Sequence, residues 1–394
     1  MTTANHFFTS ITSNYIPKAR VLAWSIKQQD PAARFHLVLC DEPPENFGTD
    51  AEPFDSVIVI EELPIPKLPA WIFKHTVVEM CTAVKGPAFL EIARRFDAEK
   101  IFYFDPDMVV FSGLERLACL LDQHSILLTP HQTVPEESFE AVVDNEICSL
   151  KHGVFNLGFL GVRTSSEGMR FLNWWAARLL EFCYDDIAGG LFTDQRWVDL
   201  APGFFDDIAI MREPIYNVAT WNLTHRTAAG SLQAGITING EPLSFYHFSG
   251  FDGGAQEVML KKYGQYSPVL FDLRKWYIAE CERRGQQALG KRPCKFGVYD
   301  NGEPILKEQR WFYRAREDLQ IAFPNPFATA DTQHSYYHWY QDNMAKSMPG
   351  DGESEPESVL RAKLMEVYRE LELIKRSRSW RFTRVLAKAW HAFR

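Results

Sequence analysis

Three runs of this chain, FHLVLC, SVIVIE and KIFYF, are apolar at almost every position, and stretches of helical spacing separate the strand-like runs. A strand with one wet face alternates apolar with polar residues, whereas a strand apolar on both faces needs cover on both. Such runs alternating with helices predict an α/β fold whose mostly parallel sheet is flanked by helical layers. HFFTSIT adds a strand at the start, and SNYIPKARVLAWSIKQQ the helix after it. WIFKHTVVEMCTAVKGPAFLEIARRF reads as one long helical segment. SILLTPHQ and GVFNLGFLGV read as strands, and RFLNWWAARLLEFC and LRKWYIAECERR as helices. SFYHFSGFDGG reads as a strand entering a glycine-rich loop.

Ligands of open parallel sheets bind at the carboxyl edge of the strands. IFYFDPDMVV, residues 101–110, pushes two acids out at such an edge. Two residues apart on a strand, Asp105 and Asp107 point to the same side. Pro106 has no N–H to give, so ladder pairing ends there. Converging carboxylates repel, and one is driven toward protonation unless a cation sits between them. Mg²⁺ or Mn²⁺, hard ions that accept both carboxylate and phosphate oxygens, suit the position. A surface turn that happens to read DPD is the alternative. Asp41 stands at the matching end of the second strand, where a plain turn residue would also fit.

The net charge of −9 argues against a general nucleic-acid binder, which needs an accumulated basic surface. The charge is uneven: residues 375–394 hold seven Lys and Arg and no acid. Seven cysteines stand singly with no CxxC pair, the usage of a reducing compartment. MTTANHFFTS lacks the pattern of a signal peptide, and no apolar run reaches the ~18 residues of a spanning helix. A cytoplasmic protein is expected, held at most against the inner face of the cell membrane.

KIFYFDPDMVVF resembles the strand and DxD motif of GT-A fold glycosyltransferases, which take a sugar from a nucleotide diphosphate donor. Four further segments agree in order with the retaining family 8 enzymes and their bacterial relatives: FTSITSNYIPKARVLAWSI, FNLGFLGV, TDQRW and FYHFSG. The resemblance covers roughly residues 5–255. It implies that Asp105 and Asp107 bind Mn²⁺ (or Mg²⁺), Asp105 also meeting the donor, with His247 as third metal ligand. Taken alone, His247 among Phe245, Tyr246 and Phe248 reads as a core histidine. The resemblance puts Thr9 and Asp41 on the nucleoside, Lys85 on the diphosphate, and Asn156 and Gly158 at the donor sugar. A solvated helix lysine and a bulge glycine are the plain alternatives for Lys85 and Gly158. Asp194 and Gln195 are implied for catalysis, the first holding sugar hydroxyls and the second beside the anomeric carbon; Asp194 equally fits a helix N-cap. The family's late segment continues to Lys-Pro-Trp, whereas FYHFSG here runs into FDGGAQ, so either Lys261 or Lys262 substitutes for the missing lysine or the donor grip differs. An acceptor platform among Trp174, Trp175, Trp197 and Trp221 competes with simple core packing.

The organisation expected is a catalytic domain over 1–270, an extension packed on it over 271–343, a flexible Gly/Pro/Ser/acidic linker over 344–357, and a C-terminal helix over 358–394. Leu360, Leu364, Val367, Leu371 and Ile374 form a short heptad seam, suited to a homodimer or to packing on the same chain. The basic, aromatic end SWRFTRVLAKAWHAFR suits peripheral membrane contact or a merely solvated helix, and SRSWRFTRVLAK resembles a segment of bacterial polysaccharide glycosyltransferases. The expected activity is transfer from a nucleotide-sugar, with UDP and retention following from the resemblance, to a glycan or lipid-linked polysaccharide acceptor. A non-catalytic sugar-nucleotide or glycan-binding protein is the alternative. A sugar-1-phosphate nucleotidyltransferase fits less well, because SITSNYIPKAR has no glycine to cradle a triphosphate.

Overall fold

A computed structural model describes residues 4–345, residue 46 excepted. The helix expected over 358–394 lies outside the described residues. So does the linker expected over 344–357, except for residues 344 and 345, which end the helix Tyr336–Ala345.

The described residues form two compact units, one of residues 4–65 with Val77–Cys294, the other of Pro66–Thr76 with the residues from Lys295 on. The boundary expected after residue 270 falls inside the helix Pro268–Arg283, whose Leu270, Leu273 and Tyr277 belong to the core of the first unit. The long helical segment expected around residues 71–96 is instead three helices, Leu68–Phe73, Val77–Ala83 and Lys85–Phe96. Only the first of these lies in the second unit.

In the first unit, β1 (His6–Ile11), β2 (Arg34–Leu39), β3 (Ser56–Val59) and β4 (Lys100–Phe104) run parallel, in the order β4-β1-β2-β3. The short β5 (Met108–Val110) follows β4 and leaves the main sheet. β6 (Ile126–Pro130) pairs in parallel with the strand Ile208–Ile210. Between β4 and β6 lies β7 (Phe155–Arg163), antiparallel to both. The seven-stranded sheet is therefore mostly parallel, as the apolar runs require. On one face α1 (Ile16–Gln29) and the helix Leu114–Gln123 share one apolar cluster with Phe7, Phe35, Phe102 and Phe159. On the other, Phe89 meets Phe8 edge-on at 4.7 Å, and Trp175 lies 6.2 Å from Phe89. Among the described residues no helix is long and apolar enough to cross a membrane.

The second unit has an aromatic core of its own. Phe73 makes edge contacts with Tyr313 at 5.1 Å, Phe327 at 5.1 Å and Tyr336 at 5.3 Å. Arg310, buried, donates to the carbonyls of Phe73 (3.2 Å), His75 (2.8 Å) and Phe296. It thereby ties residues 66–76 to the chain beyond 295. Replacing it removes three charge-assisted hydrogen bonds, two of them buried, so Arg310→Ala should cost about 3 kcal/mol of stability. Thermal unfolding followed by circular dichroism, with limited proteolysis near residue 76, checks this.

Candidate active site

The site is built where β4 stops. Its pairing with β7 ends at Phe104 opposite Phe159. The Asp105 N–H still reaches the Gly158 carbonyl at 2.7 Å, Pro106 offers no donor, and the Met108 N–H closes a turn on the Asp105 carbonyl at 3.1 Å. β5 then pairs antiparallel with the strand Phe245–His247, His247 opposite Met108, and the Phe248 N–H donates to the Asp107 carbonyl at 2.8 Å. That register delivers the imidazole to the carboxylates. His247 Nε2 lies 3.2 Å from Asp107 Oδ1 and 3.8 Å from Asp105 Oδ2.

One ligand atom from each of Asp105, Asp107 and His247 falls within 4.8 Å of the other two. Burial on its own discourages charge on His247, but the Asp107 and Asp105 carboxylates outweigh it and raise the imidazole pKa. Burial likewise opposes ionisation of Asp107, and His247 and Lys18 overcome it and hold the carboxyl low. Two carboxylates and one imidazole, converging at the strand edge, fit a hard to borderline divalent cation. Gly158 makes the room: a Cβ there would stand 2.7 Å from Asn156 Oδ1, His247 Cε1 and Met108 Cε alike.

Lys85, in the first turn of its helix and only 2 % exposed, joins this cluster to a second one. Its Nζ is 3.4 Å from Asp105 Oδ1, 2.8 Å from Asp194 Oδ2 and 3.0 Å from the Leu157 carbonyl. Burial disfavours the cation, yet the Asp105 and Asp194 carboxylates outweigh burial and raise its pKa. Burial pushes the Asp194 pKa up, and Lys85 offsets part of that. Lys85 is therefore no solvated lysine. Asp194 does stand at the N-cap of Gln195–Val198, but its side chain makes no capping bond and turns to Lys85.

Gln195 is held at both ends: Oε1 accepts from the Leu157 N–H at 3.2 Å and from Asn156 Nδ2 at 3.5 Å, while Nε2 donates to the His152 carbonyl at 3.0 Å. Asn156 Oδ1 accepts from the Gly158 N–H at 3.2 Å and from Asn217 Nδ2 at 3.0 Å. Its Nδ2 must then be the donor toward His131 Nε2, 3.1 Å away. Burial pushes the His131 pKa down to about 4, so the ring accepts that bond as the neutral imidazole.

Two sequence candidates stand apart. The Asp41 carboxylate accepts the N–H groups of Ser13 (3.1 Å) and Glu42 (2.9 Å), tying the end of β2 to the turn before α1. Thr9 lies inside β1, which continues to Ile11, and is fully buried. Its neighbour Ser10, on the opposite face, lies 3.5 Å from the Tyr103 hydroxyl. The expected substitute lysines are engaged elsewhere: Lys261 pairs with Glu257 at 2.7 Å, and Lys262 with Asp144 at 2.5 Å and Glu140 at 2.6 Å.

Three neighbours were not singled out from sequence. Tyr103 donates to Asp105 Oδ1 at 2.6 Å, and its place two residues before Asp105 on one strand was the available signal. Lys18 and His131 carry no local signal, because their partners are distant in sequence. Of the four tryptophans, Trp221 stands edge-on to His247 at 5.2 Å, while Trp175 is fully buried and donates to the Asp194 carbonyl at 3.2 Å.

No family model matches the chain. Its relatives include the uncharacterized protein YfnD of Bacillus subtilis (strain 168), 29% identical over 253 residues that cover 62% of this chain and 78% of YfnD. The uncharacterized protein YfnF of the same strain is 26% identical over 162 residues, 41% of this chain and half (50%) of YfnF. Among solved structures, the galactosyltransferase LgtC with donor and acceptor sugar analogs is 14% identical at a TM-score of 0.41, covering 73% of this chain and 97% of that one. The glycosyltransferase GlyE of Streptococcus pneumoniae TIGR4 is 14% identical at a TM-score of 0.37, covering 75% and 67%. These structural neighbours are glycosyltransferases, and their superposition on this chain is loose.

Gly158→Ala should displace His247 or Met108, because a contact of 2.7 Å leaves no room for a methyl group. A stability loss of ~1–3 kcal/mol is expected, together with weaker Mn²⁺ binding by titration calorimetry. An unchanged Mn²⁺ affinity in the folded variant would dissociate Gly158 from the triad.

Proposed function

We propose that this chain is a metal-dependent GT-A glycosyltransferase that moves a sugar, a hexose by the resemblance, from a nucleotide diphosphate donor, with UDP as the favoured nucleotide. The observation that carries the reading is the Asp105–Asp107–His247 triad at the carboxyl edge of a mostly parallel sheet, joined through Lys85 to Asp194. A divalent cation held by the triad, Mn²⁺ in preference to Mg²⁺ because of the imidazole, supplies the positive charge that a departing diphosphate needs.

The chain's own residues do the rest. Lys85 pairs with Asp194 and Asp105 together and so orients the Asp194 carboxyl, whose oxygens can accept hydrogen bonds from sugar hydroxyls. Asn156, oriented by Asn217 and His131, lies beside Gln195 and is assigned to the donor sugar. Of the two bonds to Gln195 Oε1, the longer one from Asn156 is the one a sugar would displace. The freed oxygen then faces an oxocarbenium-like centre and stabilises its charge. No side chain here is an obligatory base, and retention is the expected outcome. Thr9 and Asp41 are assigned to the nucleoside edge and Gly158 to the approach of the donor sugar. Lys85 acts on the diphosphate side only through Asp105.

The acceptor proposed is a glycan or lipid-linked intermediate of polysaccharide assembly at the cytoplasmic face of the membrane. The basic, aromatic residues 375–394 would hold the enzyme to that surface, and the heptad seam would pair two copies.

A panel of nucleotide sugars incubated with Mn²⁺ should reveal one slowly hydrolysed donor, with EDTA abolishing the reaction. The Asp105→Ala/Asp107→Ala double variant should be inactive. A panel in which nothing is bound or cleaved sinks the reading. Asp194→Asn should lower turnover by ~100-fold or more and weaken Mn²⁺ binding far less, since Asp194 is not a ligand of the triad and reaches it only through Lys85; single-turnover hydrolysis beside calorimetry separates the two effects.

A further inference from the structure

Together with the Asp105 and Asp107 carboxylates, a diphosphate bound to the triad brings more negative charge than one divalent ion and His247 can balance. Lys85 is no free contributor, being pinned between Asp105 and Asp194 with a third bond to the Leu157 carbonyl. Among the described residues one other lysine is buried as deeply. Lys18, the third residue of α1, is 1% exposed, and its Nζ lies 3.3 Å from the centre of the Tyr15 ring and 5.1 Å from that of Phe251. Its ion-pair partner is Asp252, whose carboxylate also accepts from the Tyr15 hydroxyl at 3.4 Å.

The asymmetry of this pair is telling. The Lys18 side chain is 2% exposed and that of Asp252 46%. A buried cation is costly to keep, and a purely structural role would be served as well by an apolar side chain. Lys18 sits in the first turn of a helix with no acidic residue there, where the backbone itself favours an anion. Asp252 arrives on the loop that leaves His247 directly, between Gly250 and Gly254, both in left-handed conformations (φ 73° and 78°). At Gly253 and Gly254 a Cβ would meet nothing within 4 Å. The loop is anchored at Phe251, 5.1 Å from the Tyr277 ring, and holds its acid over Lys18 just before the open stretch at Gly253 and Gly254.

We propose that Lys18 is the cation that receives the donor's diphosphate, and that Asp252 is a resident counter-ion standing where a phosphate oxygen will lie until the ligand displaces it. This rests on the metal–diphosphate reading of the triad. The segment that carries Asp252 also holds the metal site, the Phe248 N–H donating to the Asp107 carbonyl at 2.8 Å four residues before Asp252 pairs with Lys18.

The test is titration calorimetry of the full chain with UDP, GDP, ADP, CDP and dTDP, each with Mn²⁺, and with the monophosphate of whichever binds. Lys18→Met should weaken the diphosphate by ~10-fold or more, as expected for a lost charge-assisted contact, and the monophosphate by less. Mn²⁺ binding, read by electron paramagnetic resonance, should persist and change far less than the diphosphate affinity. Asp252→Asn removes the competitor and should tighten the diphosphate severalfold. The Lys18→Met/Asp252→Asn variant carries a neutral pair of similar shape and guards against misfolding; its affinity should match that of Lys18→Met alone. A diphosphate bound equally well by wild type and Lys18→Met overturns the assignment while leaving the metal–diphosphate reading intact. So does an Asp252→Asn variant as weak as Lys18→Met, which would make the pair merely structural. If the wild type takes up Mn²⁺ but no nucleoside diphosphate, both readings fall together.

Discussion

Everything at the candidate site depends on a lysine that water hardly reaches. Lys85 Nζ is shared by Asp194 and Asp105, so two buried charges and a part-buried one form a single ion-paired group. An unpaired charge there would cost several kcal/mol, whereas a fully bonded cluster comes close to break-even. The arrangement therefore adds little stability. It does give a fixed geometry, because none of the three can move without exposing another. The triad of Asp105, Asp107 and His247 is thus coupled, through one ammonium group, to the Asp194–Gln195 pair more than eighty residues along the chain.

The reversal of β7 makes this coupling compact. Parallel strands bring only their carboxyl ends to one edge. An antiparallel strand set among them brings its amino end there too, and so Asn156, Leu157 and Gly158 arrive beside Asp105. Leu157 supplies a carbonyl to Lys85 and an N–H to Gln195. Asn156 is oriented by Asn217 and His131, and Gly158 yields its side-chain volume to His247. Three consecutive residues of one strand serve three different partners, which explains why FNLG is polar, apolar and small in turn.

How much of this was legible in the sequence depends on range. The strands FHLVLC, SVIVIE and KIFYF declared themselves through two-sided apolarity, a local property. Asp105 and Asp107 did so through Pro106 and strand alternation. His247 did not, because among Phe245, Tyr246 and Phe248 it is indistinguishable from a core histidine until a ribbon pairs it with β5. Lys18 was hidden for a similar reason: its partner Asp252 is 234 positions away, and nothing in IPKARVL marks the lysine as buried. Lys261 and Lys262, nearer to His247 in sequence, are held instead by Glu257, Asp144 and Glu140. The division of the chain was the least legible feature. Residues 66–76 carry helical spacing like the residues after them, and only their partners beyond 295 assign them to another core.

That last feature bears on how the protein comes into being. A chain emerging from the ribosome at ~5–20 residues per second exposes Ala70 and Phe73 for on the order of tens of seconds before the residues from Lys295 on exist to cover them. Meanwhile the elements on both sides of the segment can already collapse into the first unit. For that interval an aromatic loop projects from a nearly finished domain, a natural handle for a chaperone and a natural seed for aggregation. Closure of the second unit is then a late, long-range event, paced by synthesis more than by local helix formation.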